Sequence, residues 1–507
     1  LSEIERANLG KAIVEVAGLQ TLGFAKIGNS QIFLTGKEYI APDGIHLIDP
    51  EDGSATPIKL MCPDNGTELM FNAVSRNGSR DAWIEAVKKL NEYPYVKIAV
   101  ATAACTPLLK LLGLPNFIIH FGYPSSSGKS SCLKIAASAV GDQERLVVNW
   151  NSTVNAINNK AYYLSSLPLF LDETKDITAK NKDDFIRNVI YMISLGVSRS
   201  RADKNGGLKE NLSWNSVCFS TGEANLLYEV KDGGARARVL DLPGMPFNRR
   251  SNEIGDMIDS VLSVVQENYG HAVVEVVADV LKEGSNSLTE YKARHEELCV
   301  EVRKALPPGV GIRLAKLVAF IVLSVEIMNK VMSLEWTTDD VRSTLVDCAV
   351  KQAVDDSEGN KALSYIYNYS IANLDQFCND KGENCSYAPT YKNKDNEEKI
   401  RTHRIFQDGQ AKIGIIGEDC LIIIDSFIKD ILKEKKFEPD SVFKEWKQKG
   451  YLKYNGEGFT YQPARLFGKR PRVIYLNAAA LKALQDTADK NEDSETEDGA
   501  ADNPFVG

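Results

Sequence analysis

The stretch Phe121-Gly122-Tyr123-Pro124-Ser125-Ser126-Ser127-Gly128-Lys129-Ser130 decides the reading of this 507-residue chain. The apolar segment 117–121 has the length of a strand, and the apolar positions of 129–140 recur at helical spacing. Between them lies a Gly/Ser loop ending in Gly-Lys-Ser. Backbone N–H groups of such a loop, together with the N-terminus of the following helix, form a cradle for phosphate. Ser125, Ser126, Ser127, Gly128, Lys129, Ser130 and Ser131 are therefore the candidate ATP-binding residues. Lys129 is placed to reach the β- and γ-phosphates, and Ser130 to ligate Mg²⁺. The loop departs from the usual pattern, because five residues rather than four separate Gly122 from Gly128. Either Tyr123 replaces the first glycine or the loop is one residue longer.

Strands and helices alternate outward from this loop. Segments 167–171, 216–220 and 239–242 read as strands and 184–195 as a helix, which predicts an α/β core with a parallel sheet. The segment 167–171 ends in Asp172-Glu173, about 40 residues after the loop. A parallel sheet brings the C-terminal ends of its strands to one edge. Asp172 is then a second candidate Mg²⁺ ligand and Glu173 a candidate for polarising an attacking water, which favours hydrolysis over transfer to a second substrate. The same edge logic aims Ser220 or Thr221 at the γ-phosphate region.

Two arginines, Arg236 and Arg238, precede the strand 239–242. A guanidinium fork there can stabilise charge on a neighbouring subunit's γ-phosphate, and spacing does not choose between the two. Arg313 opens an apolar helix at 314–325 and is a candidate lid arginine. Asn205-Gly206 is a hairpin turn flanked by Arg199, Arg201, Lys204 and Lys209, a basic hairpin able to grip phosphates in a ring's pore.

Taken in order, these motifs resemble one family. Gly-Lys-Ser, Trp150-Asn151-Ser152-Thr153, Leu171-Asp172-Glu173, the basic hairpin, Trp214, Ser220-Thr221-Gly222-Glu223 and Arg236-Ala237-Arg238 are similar to the AAA+ domains of plasmid- and phage-type primase–helicases. Relatives of that family include the MCM-like helicases of staphylococcal cassette chromosomes and pathogenicity islands. The resemblance spans roughly residues 30–350, with weaker support to 484. It implies a P-loop AAA+ core and a hexameric ring ATPase that translocates on DNA. It also implies roles for Lys129, Ser130, Asp172, Glu173, Thr221, Arg236 or Arg238, and Arg313. The function expected is an ATP-dependent DNA helicase for replication of a mobile genetic element. The alternative is a non-motor replication initiator or regulatory nucleotide switch.

The remaining organisation follows from composition. Residues 1–90 read as a β-rich N-terminal domain, with strands at 31–34 and 45–48 and a helix capped by Ser79. Residues 91–250 form the ATPase core, which opens with a single buried helix at 98–112. Residues 251–378 are a helical lid and 379–411 a polar linker. Residues 412–484 read as a winged helix, with helices at 422–432 and 442–449 and strands at 451–454 and 473–476. Lys444, Lys447, Arg465, Arg470 and Arg472 are its candidate DNA-binding residues. Residues 485–507 read as an acidic disordered tail.

The formal net charge of −9 hides this layout. Residues 441–484 hold nine basic side chains against Glu445 and Glu457, and residues 486–507 hold eight acids against Lys490. The net charge therefore does not exclude DNA as a partner, and the tail is expected to compete with it. With 43% hydrophobic and 25% charged residues, whole-chain disorder is excluded. The nine cysteines are scattered, as free thiols of a reducing compartment are, and the spacing of Cys378, Cys385 and His403 fits no zinc module. No apolar run reaches the ~20 residues of a membrane span. No signal-peptide pattern is present, so a cytoplasmic protein is expected, and a first residue of Leu rather than Met suggests a fragment.

Overall fold

A computed structural model describes residues 16–50, 56–178, 182–198, 211–229, 237–248, 250–307, 310–355, 357–378, 390–392, 398–400, 412–417, 419–463 and 470–483. The chain divides into two compact units, Leu1–Ala353 and Val354–Gly507.

The first unit opens with β1 (Ala17–Leu19), which pairs in parallel with β6 (Ile58–Leu60). Between them β2 (Gly23–Ile27), β3 (Ser30–Leu34), β4 (Glu38–Ala41) and β5 (Gly44–Leu47) form an antiparallel meander. Alternation splits its apolar residues. Phe24, Phe33 and Ile40 join the main core, while Ile32 and Leu34 pack with Ile48 and Ile58 in a smaller cluster. The two expected strands are β3 and β5.

Helix α1 (Asn65–Ala73) has no counterpart in the sequence reading. Asp64 caps it, accepting from Thr67 N at 2.9 Å. Helix α2 (Arg80–Lys88) is capped by Ser79, as expected, and buries Trp83, Ala86 and Val87. The expected single helix at 98–112 is instead two, α3 (Pro94–Cys105) and α4 (Leu108–Leu112). Pro107 has no N–H to donate, so the ladder breaks there. Left-handed Gly113 then ends α4 (φ 66°).

The central sheet holds β7 (Phe117–Gly122), β8 (Val147–Asn149), β9 (Leu169–Asp172), β10 (Val217–Gly222) and β11 (Val239–Leu242), in the order β11-β7-β10-β9-β8 and parallel throughout. Nearly every residue of β7, β10 and β11 is buried, the continuous apolar pattern of a sheet covered on both faces. Register aligns Gly122 with Gly222 and Asn149 with Asp172, so these strand ends share one edge.

Between the strands run α5 (Lys129–Ser138), α6 (Gln143–Leu146), α7 (Val154–Leu164) and α8 (Lys182–Leu195). The sequence reading missed β8 and α7. Thr153 caps α7, accepting from Ala156 N at 3.1 Å. The unit closes with α9 (Asn252–Glu267), α10 (His271–Leu281), α11 (Ser287–Ala305), α12 (Val310–Met332) and α13 (Asp339–Asp355). Lys97 is fully buried on α3 and reaches Asp340 at 2.6 Å and Thr337 Oγ1 at 2.8 Å, joining α3 to the start of α13.

In the second unit, α14 (Glu358–Ala372) shares a core with α15 (Asp425–Glu434) and α16 (Pro439–Gln448). The sequence reading groups α14 with residues 251–378; its Ala362, Leu363 and Ile366 belong to this second core. Five short strands form the order β12-β15-β16-β18-β17: β12 (Phe377–Cys378), β15 (Gly414–Ile416), β16 (Leu421–Ile424), β17 (Leu452–Lys453) and β18 (Val473–Leu476). A separate hairpin pairs β13 (Thr390–Lys392) with β14 (Glu398–Ile400). The expected helix 422–432 is corrected. Ile422-Ile423-Ile424 is a β-branched run that pairs with β18, and the helix starts only at Asp425. Helix α16 starts three residues earlier than expected, because Pro439 suits the first helical position.

Candidate active site

The loop between β7 and α5 depends on two left-handed residues, Ser126 (φ 60°) and Gly128 (φ 82°). Gly128 is needed twice over: a Cβ there would stand 2.7 Å from Phe247 Cδ2. Lys129 is 6% exposed and curls back over the loop. Its Nζ donates to Tyr123 O (2.6 Å), Pro124 O (2.9 Å) and Ser127 Oγ (3.2 Å). Burial pushes the ammonium pKa down, and the carboxylates of Glu173, Glu223 and Asp172 oppose that shift.

The Asp172-Glu173 end of β9 meets this loop as expected. Asp172 Oδ1 accepts from Ser130 Oγ at 3.2 Å and from Thr221 Oγ1 at 2.5 Å. Thr221 Oγ1 in turn accepts from Glu173 N at 2.9 Å. One threonine on β10, the strand between β7 and β9, thus fixes both acidic residues. Glu173 is left-handed (φ 61°, ψ 88°), a backbone conformation costing about 1–3 kcal/mol in a non-glycine residue. Its side chain accepts from Lys175 N at 3.1 Å and closes a short turn.

Ser220 and Thr221, left open by the sequence, are separated by the alternation of the strand. Thr221 belongs to the acidic edge, while Ser220 Oγ accepts from Trp150 Nε1 at 3.0 Å and lies 2.9 Å from His120 Nδ1. His120 Nε2 lies 3.0 Å from Ala224 O. These partners require Nε2–H to donate and Nδ1 to accept from the serine hydroxyl. Sequence reasoning missed His120, although a histidine inside the apolar run 117–121 was a visible signal. It also missed Lys175, which pairs with Glu223 at 3.1 Å and holds its carboxyl below the usual range. Glu223 further accepts from Ser125 Oγ at 3.1 Å, tying the loop to the end of β10. Arg250, for which no local pattern gave a cue, donates through Nη2 to Ser125 O at 2.9 Å.

Burial drives the His120 pKa down to about 4. Above pH 6.5 the ring is neutral in both folded and unfolded chains. Below that, the unfolded chain binds a proton that the buried ring refuses until about pH 4. His120 alone is therefore expected to remove about 3 kcal/mol of stability between pH 6.5 and pH 4. Denaturant unfolding at pH 7 and pH 4.5 checks this, because His120→Gln should flatten the pH slope relative to the parent chain.

The predicted arginines separate. Arg238 stands at the start of β11, where its carbonyl accepts from Ile118 N at 2.9 Å. That is the opposite end of β7 from the loop, about 15 Å away at 3.3 Å per residue. Arg236 lies outside the described residues. Arg313 is exposed on the first turn of α12. Farther along that helix, Phe320 packs on Phe117 at the start of β7 (6.1 Å), and Val331 O accepts from Arg80 Nη2. Among the described residues no hydrogen bond or ion pair joins Arg313 to the loop.

Arg199, Arg201, Lys204, Lys209 and Arg465 lie outside the described residues, as do Cys385, His403 and the acidic tail. In the second unit Lys444, Arg470 and Arg472 are exposed. Lys447 is hooked onto Glu457 O (2.7 Å) and Gly458 O (3.3 Å). Among the described residues no group of three or more His, Cys, Asp and Glu could hold a metal, and no helix is long and apolar enough to cross a membrane. The Ser130–Asp172 pair is a hydroxyl with a carboxylate, a donor set that fits Mg²⁺ sharing its other positions with water and phosphate.

Fold and edge together define a mixed α/β protein with a Gly/Ser loop and two acidic residues at the carboxyl edge of a parallel sheet. Residues 12–213 match the family described as Domain of unknown function (DUF927), and residues 357–463 match the Cch helix turn helix domain. The second match begins at Ser357, the cap of α14, and so takes in all three helices of that core. The fold is similar to a solved structure described as "SCCmec type IV Cch - active helicase", with TM-score 0.63 and 17% identity, over 95% of this chain and 83% of that chain. No curated protein matches the chain.

Proposed function

We propose that the chain is an ATP-dependent DNA helicase or translocase, with a AAA+ core assembled as a homo-hexameric ring, acting in replication of a mobile genetic element. One observation carries the reading: Ser130, Asp172, Glu173 and Thr221 converge at a single sheet edge through direct hydrogen bonds, beside the loop over which Lys129 is folded. The fold likeness to a protein described as an active helicase and the match to a Cch helix turn helix domain support it.

Each residue has a task that follows from its chemistry. The loop N–H groups and the first turn of α5 bind phosphate oxygens, since those donors have no partner inside the helix. Lys129 exchanges its loop carbonyls for phosphate oxygens, which accept more strongly. Ser130 and Asp172 would hold Mg²⁺, which when bound would neutralise phosphate charge. Glu173 accepts the proton of the attacking water. Thr221 keeps Asp172 and Glu173 in register. Arg250, already against Ser125 O and near Lys129, adds a second positive charge beside the loop.

Arg238 stands at the end of β11 opposite its own loop, and a role at a neighbour's site rather than its own is consistent with that position. A ring also gives the basic hairpin its role of gripping single-stranded DNA in the pore, with the winged helix as a further DNA contact. The test is strand displacement with and without ATP, alongside measurement of particle size with ATP and single-stranded DNA. ATP-dependent unwinding by a hexamer is expected. A protein that stays monomeric throughout removes the ring, and DNA binding without unwinding leaves an initiator.

A further inference from the structure

Helix α16 occupies the place of the recognition helix in the second unit, yet its surface is poor in available positive charge. Of its neighbouring lysines, Lys447 is held by two carbonyls, and Lys449 pairs with Glu445 (2.6 Å) and donates to Ser357 and Asn360. Only Lys444 stands exposed on the helix without such a tether among the described contacts. The N-terminal end of the helix, which reads bases in such domains, is acidic. Glu358 accepts there from Glu438 N (3.2 Å) and Ser441 Oγ (3.3 Å), with Asp440 on the first turn. Three carboxylates at that end oppose entry into a phosphate-lined groove.

The β17–β18 hairpin is different. Lys453 and Tyr475 are cross-strand partners and share a face. The Lys453 ammonium sits 4.8 Å from the Tyr461 ring centre and 5.1 Å from that of Tyr475, and the two rings meet edge to face at 5.7 Å. Lys447 lies 4.2 Å over Tyr454, a ring that still remains 41% exposed. Arg472 is exposed at the foot of β18. Rings and cations therefore cluster at this strand pair and the adjoining Tyr454 and Tyr461. That arrangement offers flat faces to unpaired bases and ammonium groups to the phosphates between them. A duplex hides its base faces in the stack and cannot use such rings.

We propose that the second unit binds single-stranded DNA by stacking bases on Tyr454 and Tyr461 of its wing, with Lys453 and Arg472 on the backbone, rather than reading duplex with α16. The proposal rests on the reading that this chain works on DNA. Photocrosslinking of the full chain to a 5-iodouracil-substituted oligothymidine without ATP, followed by peptide mapping, tests it. Crosslinks at Tyr454 or Tyr461 are expected. Tyr454→Ala with Tyr461→Ala should abolish them and weaken single-strand binding about tenfold or more in a chain whose basic hairpin is neutralised, while the Phe variants retain both. Crosslinks confined to α16, or duplex binding lost in Lys444→Ala and unaffected by the tyrosine variants, would overturn the proposal. A chain that binds no DNA at all, and displaces no strand, fails the underlying reading instead.

Discussion

Glu173→Gln is expected to lower ATP hydrolysis about 10²–10⁴-fold, the usual contribution of a positioned general base, while nucleotide binding stays within a few-fold of the parent. The substitution isolates proton acceptance because so little else changes. A glutamine Oε1 can still accept from Lys175 N, the contact that closes the turn after β9. The backbone N–H of residue 173 still has Thr221 Oγ1. Glutamine tolerates the left-handed backbone no worse than glutamate does, so the strain at this position is common to both. Phosphate release at saturating ATP, compared with binding of a fluorescent nucleotide, separates the two effects. A variant that keeps hydrolysis within tenfold of the parent would remove Glu173 from the reaction.

Much of this edge was legible in the sequence because each motif is local. An apolar strand, a Gly/Ser turn and a capped helix are set by neighbouring residues, so segments 117–121 and 239–242 fall almost where expected. What could not be read is non-local. The choice of Thr221 over Ser220 depends on which of them the register of β10 on β9 sets beside Asp172, and that follows only from strand pairing. Arg250 reaches Ser125 from the segment after β11, a contact across 125 positions that no spacing encodes.

Local cues also misled where two structures compete for one run. Ile422-Ile423-Ile424 flanks a helical pattern, and only pairing with Ile474 and its neighbours makes it a strand. The lysines around α16 are candidate DNA contacts by charge alone, because sequence gives charge and not partners. The structure shows two of them occupied by carbonyls and polar side chains of their own unit.

Lys129→Ala should weaken nucleotide affinity about 10²-fold and abolish measurable turnover, with almost no loss of folding stability. The binding side follows from charge. A lysine donating to phosphate oxygens makes charge-assisted hydrogen bonds of about 1.5–3 kcal/mol, and about 2.7 kcal/mol is two decades of affinity. The stability side follows from the contacts Lys129 makes within its own loop. Lys129 is buried, and its contacts there are to two carbonyls and one hydroxyl rather than to a paired carboxylate. Burial drives its pKa down despite the acids around it, so those contacts do not fully offset the loss of water. Removing the side chain removes that penalty together with the hydrogen bonds, and the carbonyls of Tyr123 and Pro124 regain solvent through the space it leaves. Isothermal titration with ATP and denaturant unfolding of the same preparations measure both sides. A variant that binds ATP as the parent does would show that the cradle works without its lysine. One destabilised by several kcal/mol would show that Lys129 is a structural strut of the loop, not a residue held in reserve for phosphate.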